Sequence, residues 1–209
     1  MRTVRTKIYK FNELSNEAKQ KAIEKYRDNN IDYQFSFDEI TGSVKKMAEL
    51  FNLKFGREYT DLRTGHIEDN ILQLSGTRLY KYLMNNYYDD LFTPKYIKIV
   101  DKVVKYRQFI CKVIKGRDKD YTQIYSKNKR TNDCVLTGIC YDNDILQPVY
   151  DFLKKPSKNT TFEDIVNDIE SAISKTFRNE EEYINSDEYI IEAIEANDYE
   201  FMADGKMFN

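Results

Sequence analysis

The chain has no tryptophan, one histidine, three prolines and seven glycines among its 209 residues. So few prolines and glycines argue against a disordered chain or a long flexible linker. No apolar run approaches the 18 residues of a transmembrane helix. The basic first residues lack the apolar region and the small-residue cleavage site of a signal peptide. We therefore expect a cytoplasmic protein with no membrane partner.

Residues that would build an active site are also scarce. The single His66 has no clear nucleophile with which to form a triad, and a structural or surface role fits it better. There is no phosphate loop, dinucleotide glycine pattern or nucleophile elbow. Three cysteines form no even disulfide framework, which favours reduced thiols (Cys111, Cys134, Cys140). The sequence predicts no catalytic residues and no cofactor, and the protein is interpreted as a non-enzyme.

Two acidic stretches are candidates for chemistry, one as metal ligands and the other as paired carboxylates for acid-base catalysis. Cys134 and Cys140 are six apart, which is not the spacing of a zinc knuckle. Cys140 with Asp142 and Asp144 could supply ligands, but a turn and a cap for the next helix explain these residues better. Glu180–Glu182 fits a solvated face at a helix end. We predict no metal site.

What is present suits one folded domain. Apolar residues make up 41% of the chain, with 17 tyrosines and 12 phenylalanines, enough for a core whose rings are partly wet. Mixed strand and helix patterns without regular alternation predict an α+β fold with a small, mainly antiparallel sheet. We expect a single domain over 1–209, with a subdomain boundary near 93–95 and an acidic, helical part over 144–209.

Local patterns predict the elements. Strands are expected at 2–9, 53–59, 70–74 and 134–139, and helices at about 15–29, 37–51, 77–88, 144–154, 161–177 and 188–196. Ser15 and Thr160 or Thr161 are the expected N-caps. A hairpin turn is expected at Ala203-Asp204-Gly205. Residues 95–115 are ambiguous, because their β-branched content favours strands whereas their apolar spacing also fits a helix.

Charge is divided unevenly along the chain. Residues 95–130 hold twelve Lys or Arg and three acids, for a net charge of +9. Residues 161–204 hold fourteen acids and two bases, for a net charge of −12. Such asymmetry can match charged partners, or the two regions can neutralise each other or form solvated faces.

The basic stretch carries our candidate partner-binding residues. Its tyrosines are interleaved with the cations, which suits stacking on single-stranded nucleic acid. The candidates, chosen on charge, are Tyr96, Lys98, Lys102, Lys105, Tyr106, Arg107, Lys112, Lys115 and Arg117. The acidic third could instead occupy a basic nucleic-acid channel as a mimic.

Three segments resemble proteins common in phages and prophages of low-GC bacteria. They are FNELSNEAKQKAI at 11–23, LTGICYDNDIL at 136–146, and EANDYEF at 195–201 with the following Gly205-Lys206. The resemblance spans both ends and leaves the basic middle poorly matched. Small accessory proteins of this kind often act against host defence, including as anti-CRISPR inhibitors, and the resemblance carries over no catalytic residue.

These observations lead to three functional hypotheses. The first is a phage-type protein that binds and stoichiometrically inhibits a bacterial defence protein or ribonucleoprotein, above all a CRISPR-Cas nuclease. The second is direct nucleic-acid binding by 95–130, which should weaken steeply with salt. The third is an enzyme that modifies a host protein or a small signalling molecule. Oligomeric state is left open.

Overall fold

A computed structural model describes residues 6–55, 62–63, 67–92 and 134–208. The contacts between these residues divide the chain into two compact units. Unit 1 combines the two ends of the sequence, Met1–Ser36 and Arg178–Asn209, and unit 2 is the intervening stretch Phe37–Phe177. The candidate residues of the basic stretch, the predicted boundary near 93–95 and His66 lie outside the described residues.

Unit 1 is built from short strands and amphipathic helices. Strand β1 (Tyr9–Lys10) pairs antiparallel with β4 (Glu200–Phe201), so that Tyr9 lies opposite Phe201. A single 3-10 turn (Phe11–Glu13) leads from β1 to helix α1 (Asn16–Asn29). The last turns of a long helix and all of helix α8 (Asp187–Ala196) complete the unit. Segments from the two ends of the sequence therefore fold together into one compact unit.

Helix α1 follows from its sequence. Ser15 is its N-cap, as predicted, because its hydroxyl accepts a hydrogen bond from the Ala18 amide at 3.3 Å. One face of α1 is buried against Ile190 and Ile194 of α8 and Phe201 of β4. The buried α1 residues recur at helical spacing and are Ala18, Ala22, Ile23 and Tyr26.

The predicted hairpin turn at Ala203-Asp204-Gly205 closes against α1. Gly205 adopts φ +84°, a conformation that favours glycine. A Cβ atom at this position would come within 3.2 Å of the Ala18 Cα and still closer to its carbonyl oxygen. After the turn, Met207 forms a bridge to Phe201. The glycine therefore allows the C-terminal hairpin to touch the backbone at the start of α1.

Unit 2 is dominated by helices. Its elements begin within helix α2 (Gln34–Leu50) and end within helix α7 (Phe162–Ile184). Between them lie the antiparallel pair β2 (Lys54–Phe55) and β3 (Leu62–Arg63), and the helices α3 (Asp69–Leu72), α4 (Gly76–Asn86), α5 (Tyr88–Leu91) and α6 (Tyr141–Lys154).

One apolar core joins the helices of unit 2. Its fully buried side chains come from α2, α4, α6 and α7 and include Ile40, Met47, Leu79, Leu83, Ile145, Leu153, Phe162 and Ile169. Helix α7 begins at a reciprocal cap, in which the Thr161 hydroxyl accepts from the Asp164 amide and the Asp164 carboxylate accepts from the Thr161 amide. Thr161, one of the two predicted caps, thus fixes the start of α7, the longest helix among the described residues.

Several predicted elements are different in the structure. The expected strand at 70–74 is mostly helix α3, and the observed partner of β2 is β3. The expected strand at 134–139 is a loop, because its amides bond to a side chain rather than to another strand. Within the described residues the fold is mostly helical with short antiparallel strand pairs, which is compatible with α+β.

Among the helices that the structure describes, none combines the length and the apolar character needed to cross a bilayer.

Candidate functional site

The described part of unit 1 gathers acidic side chains where α7 ends and α8 begins. Glu188, Glu192 and Glu195 are exposed, and their spacing places them along one face of α8. The opposite face is buried through Ile190 and Ile194. The apolar positions therefore dictate that these three carboxylates point into solvent.

The end of α7 adds further acidic groups and an aromatic ring. Of the acid run for which the sequence suggested a solvated face, Glu181 and Glu182 are exposed, whereas Glu180 is half-buried. Tyr183 is 49% exposed and meets the Tyr189 ring edge-on, with ring centroids 5.3 Å apart. We call this surface the acidic corner: Glu181, Glu182, Tyr183, Glu188, Glu192 and Glu195.

The turn within the acidic corner is held by hydrogen bonds. Ser186 caps α8 by accepting from the Tyr189 amide at 3.2 Å, and it donates to the Tyr183 carbonyl at 2.6 Å. Asn185 donates to the Glu181 carbonyl at 2.8 Å and to the Tyr33 hydroxyl at 2.6 Å. The two helix segments of the corner are thus fixed relative to each other.

Some acids of unit 1 are neutralised by neighbouring cations. Arg27 pairs with Asp187. Lys10 bridges Asp198 at 3.0 Å and Glu200 at 3.3 Å, and its hydrogen bond with Asp198 is the main cause of its raised pKa. By contrast, none of the five glutamates of the acidic corner has an ion-pair partner among the described residues.

A second group of polar side chains lies inside unit 2, around Asp142. Its carboxylate is fully buried in the first turn of α6. Oδ2 accepts from the amides of Leu136, Thr137 and Gly138 at 2.9, 2.7 and 3.2 Å, and Oδ1 accepts from the Thr137 hydroxyl at 2.9 Å. The chain itself satisfies this carboxylate, through the loop that precedes the helix. The prediction that these residues cap α6 is wrong, because the N-cap position is Cys140 and no side chain makes a capping hydrogen bond there.

Asp144, Cys134 and Cys140 are the other side chains near Asp142 in the sequence that could bind a metal ion. Asp144 is largely exposed; partial desolvation raises its pKa, and the nearby Lys175 opposes this shift. Cys134 and Cys140 form no disulfide within the part of the chain that the structure describes. Among the residues that the structure describes, no group of three or more His, Cys, Asp or Glu could hold a metal ion.

Two features escaped the sequence reasoning. The Gln147 side-chain amide nitrogen is buried with no hydrogen-bond partner in the described structure, and no residue pattern signals this. Phe35 is 73% exposed at the start of α2. The sequence predicted that this helix begins at about 37, whereas it begins at Gln34, and a helix boundary does not reveal which ring stays in solvent.

The candidate residues of the basic stretch stay a prediction, because all nine lie outside the described residues. The structure describes two other groups of charged side chains: the exposed acidic corner of unit 1, and in unit 2 the buried Asp142 carboxylate, whose hydrogen bonds come from its own loop. Comparison with known proteins adds no assignment: no family model, no curated protein and no solved structure matches this chain.

Proposed function

We propose that this protein acts by binding, as a stoichiometric inhibitor of a bacterial defence complex, and that the complex is a nucleic-acid-guided nuclease of the CRISPR-Cas type. It would work in the cytoplasm of the host cell and without turnover. The resemblance of residues 11–23, 136–146 and 195–201 to phage and prophage proteins supports an anti-defence role.

The acidic corner is the observation that carries this proposal. Glu192 and Glu195, three residues apart toward the C-terminal end of α8, repel each other by about 0.2–0.5 kcal/mol, and no basic residue lies in the last turn to offset this. Fold stability therefore does not account for this row, whereas a basic partner surface does. Tyr183 adds an exposed ring of the kind that anchors protein interfaces.

The proposed partner surface is a basic channel. Guided nucleases hold nucleic-acid backbones in positively charged channels. Carboxylates fixed on the rigid corner would compete with phosphates for the same Lys and Arg side chains. Inhibition should therefore need about one inhibitor per nuclease, weaken with added salt and fall when the substrate is in excess.

The test is a cleavage assay with purified, guide-loaded nucleases of low-GC bacteria. The triple variant Glu188→Gln, Glu192→Gln, Glu195→Gln should raise the half-inhibitory concentration about tenfold, since three exposed pairs of about 0.5 kcal/mol each sum to roughly one such factor. The matched control is Glu24→Gln, Asp28→Asn, Asp168→Asn, which removes three exposed charges elsewhere.

The control should stay within twofold of the unmodified protein. Equal losses for the two triple variants would reject the acidic corner as the interface and leave only a general charge effect. Inhibition at far less than one protein per nuclease would contradict the stoichiometric mechanism and favour the enzyme hypothesis.

Direct nucleic-acid binding is the second candidate function. The observation that favours it is the net charge of +9 over 95–130, with tyrosines among the cations. Reversing Lys102, Lys105 and Arg107 together should abolish binding to labelled single-stranded DNA or RNA at low salt. If the unmodified protein binds neither nucleic acid at low salt, this second function is excluded.

A further inference from the structure

The loop before α6 has the backbone geometry of an anion site. The amides of Leu136, Thr137 and Gly138 are consecutive, and all three donate to the same carboxylate oxygen of Asp142. Gly138 has φ +88°, which helps successive N–H groups converge on one point. Such concavities are known as nests and bind anions through main-chain donors.

The anion in this nest is fully buried and also tied to a neighbouring helix. The Thr137 hydroxyl that donates to Asp142 lies 3.1 Å from the hydroxyl of Ser43, a buried residue of α2. The carboxylate therefore links three parts of unit 2: the loop, the first turn of α6 and α2. It is the group around which this loop is organised.

We propose that residues 136–138 form a carboxylate-binding nest whose ligand is the chain's own Asp142, and that a small external carboxylate can replace that side chain. Thr137 and Gly138 are exposed, so two of the three donor residues lie next to solvent. The nest accounts for the missing strand at 134–139 and does not depend on the proposed function.

The test is chemical rescue of the variant Asp142→Ala. Alanine keeps Cβ and removes only the carboxylate, so formate matches the space that is vacated, whereas the methyl group of acetate would collide with Cβ. Formate should raise the melting temperature of the variant by several degrees relative to chloride at the same ionic strength, and acetate should raise it less.

Two controls separate site binding from general salt effects. The unmodified protein and Asp144→Ala keep the nest filled, so formate and chloride should give them the same melting temperature. A formate effect of equal size in all three proteins would overturn the proposal.

The proposal can also be tested if the variant Asp142→Ala does not fold in chloride. If Asp142→Ala is unfolded in chloride, recovery of the helical circular dichroism signal in formate, but not in chloride, supports the nest. No recovery in either salt overturns the replacement by an external ion. The variant Asp142→Asn, which keeps the site occupied, should fold and show no preference for formate.

Discussion

The two units use carboxylates in opposite ways. In unit 2, Asp142 is fully buried, and its oxygens accept four hydrogen bonds from a single loop. In unit 1, the five glutamates of the acidic corner are exposed and have no ion-pair partner among the described residues. The contrast separates a charge that the fold needs from charges that the fold tolerates.

The largest expected effect tests this contrast directly. Asp142→Ala empties a fully buried position and leaves three loop amides without their acceptor, so the free energy of unfolding should fall by about 3 kcal/mol. Glu188→Gln with Glu192→Gln and Glu195→Gln should change it by no more than about 0.5 kcal/mol, because these side chains are solvated. Urea unfolding followed by circular dichroism measures both. Similar losses for the two variants would break the comparison.

Unit 1 also has a turn that is fixed against a helix, the turn at Gly205, but close packing rather than a buried charge fixes it. Gly205→Ala would place a Cβ atom against the Ala18 backbone at a positive φ, which should cost at least about 2 kcal/mol. The matched control is Gly42→Ala, where a Cβ would meet nothing within 4 Å in a helix interior. The control should be neutral or stabilising. If Gly205→Ala unfolds at the same urea concentration as the unmodified protein, the close approach is not required.

The comparison also shows what a sequence can predict. The N-caps Ser15 and Thr161 and the turn at Gly205 were predictable, because each depends on a residue's local chemistry. The buried face of α1 followed from the helical spacing of its apolar residues. These features need no knowledge of distant contacts.

Features that depend on a tertiary partner were missed. Residues 134–139 are apolar enough for a strand, yet the Asp142 side chain takes the amides that a neighbouring strand would have used. Residues 70–74 fit a strand, yet the turn of α3 begins at Asp69. For the candidate site, charge spacing predicted the acidic region, but the ring pair Tyr183–Tyr189 and the capped turn at Ser186 required the structure.

A smaller effect is expected where unit 2 fails to satisfy a buried polar group. The side-chain nitrogen of Gln147 has no partner in the described structure, and burial without a hydrogen bond is costly. Gln147→Met keeps the length of the side chain and removes the donor, so it should stabilise the protein by about 1 kcal/mol. Thermal unfolding measures this. A destabilised Gln147→Met would contradict this expectation and would mean that the side-chain amide makes a stabilising hydrogen bond in the folded protein.

The smallest effect is expected at Asp144, which is exposed like the glutamates of the acidic corner but, unlike them, has a pKa that partial desolvation raises. Partial desolvation raises its pKa in the folded protein, so the folded state binds its proton more tightly than the unfolded state does. The contribution of Asp144 to the free energy of unfolding is therefore most favourable at pH values below the usual pKa of a carboxyl group. It is lost as the pH rises from that pKa to the raised pKa of the folded state. Asp144→Asn should melt slightly higher than the unmodified protein at pH 7, and this advantage should disappear near pH 3. An advantage that is independent of pH would show that the side chain's shape, and not its charge, is responsible.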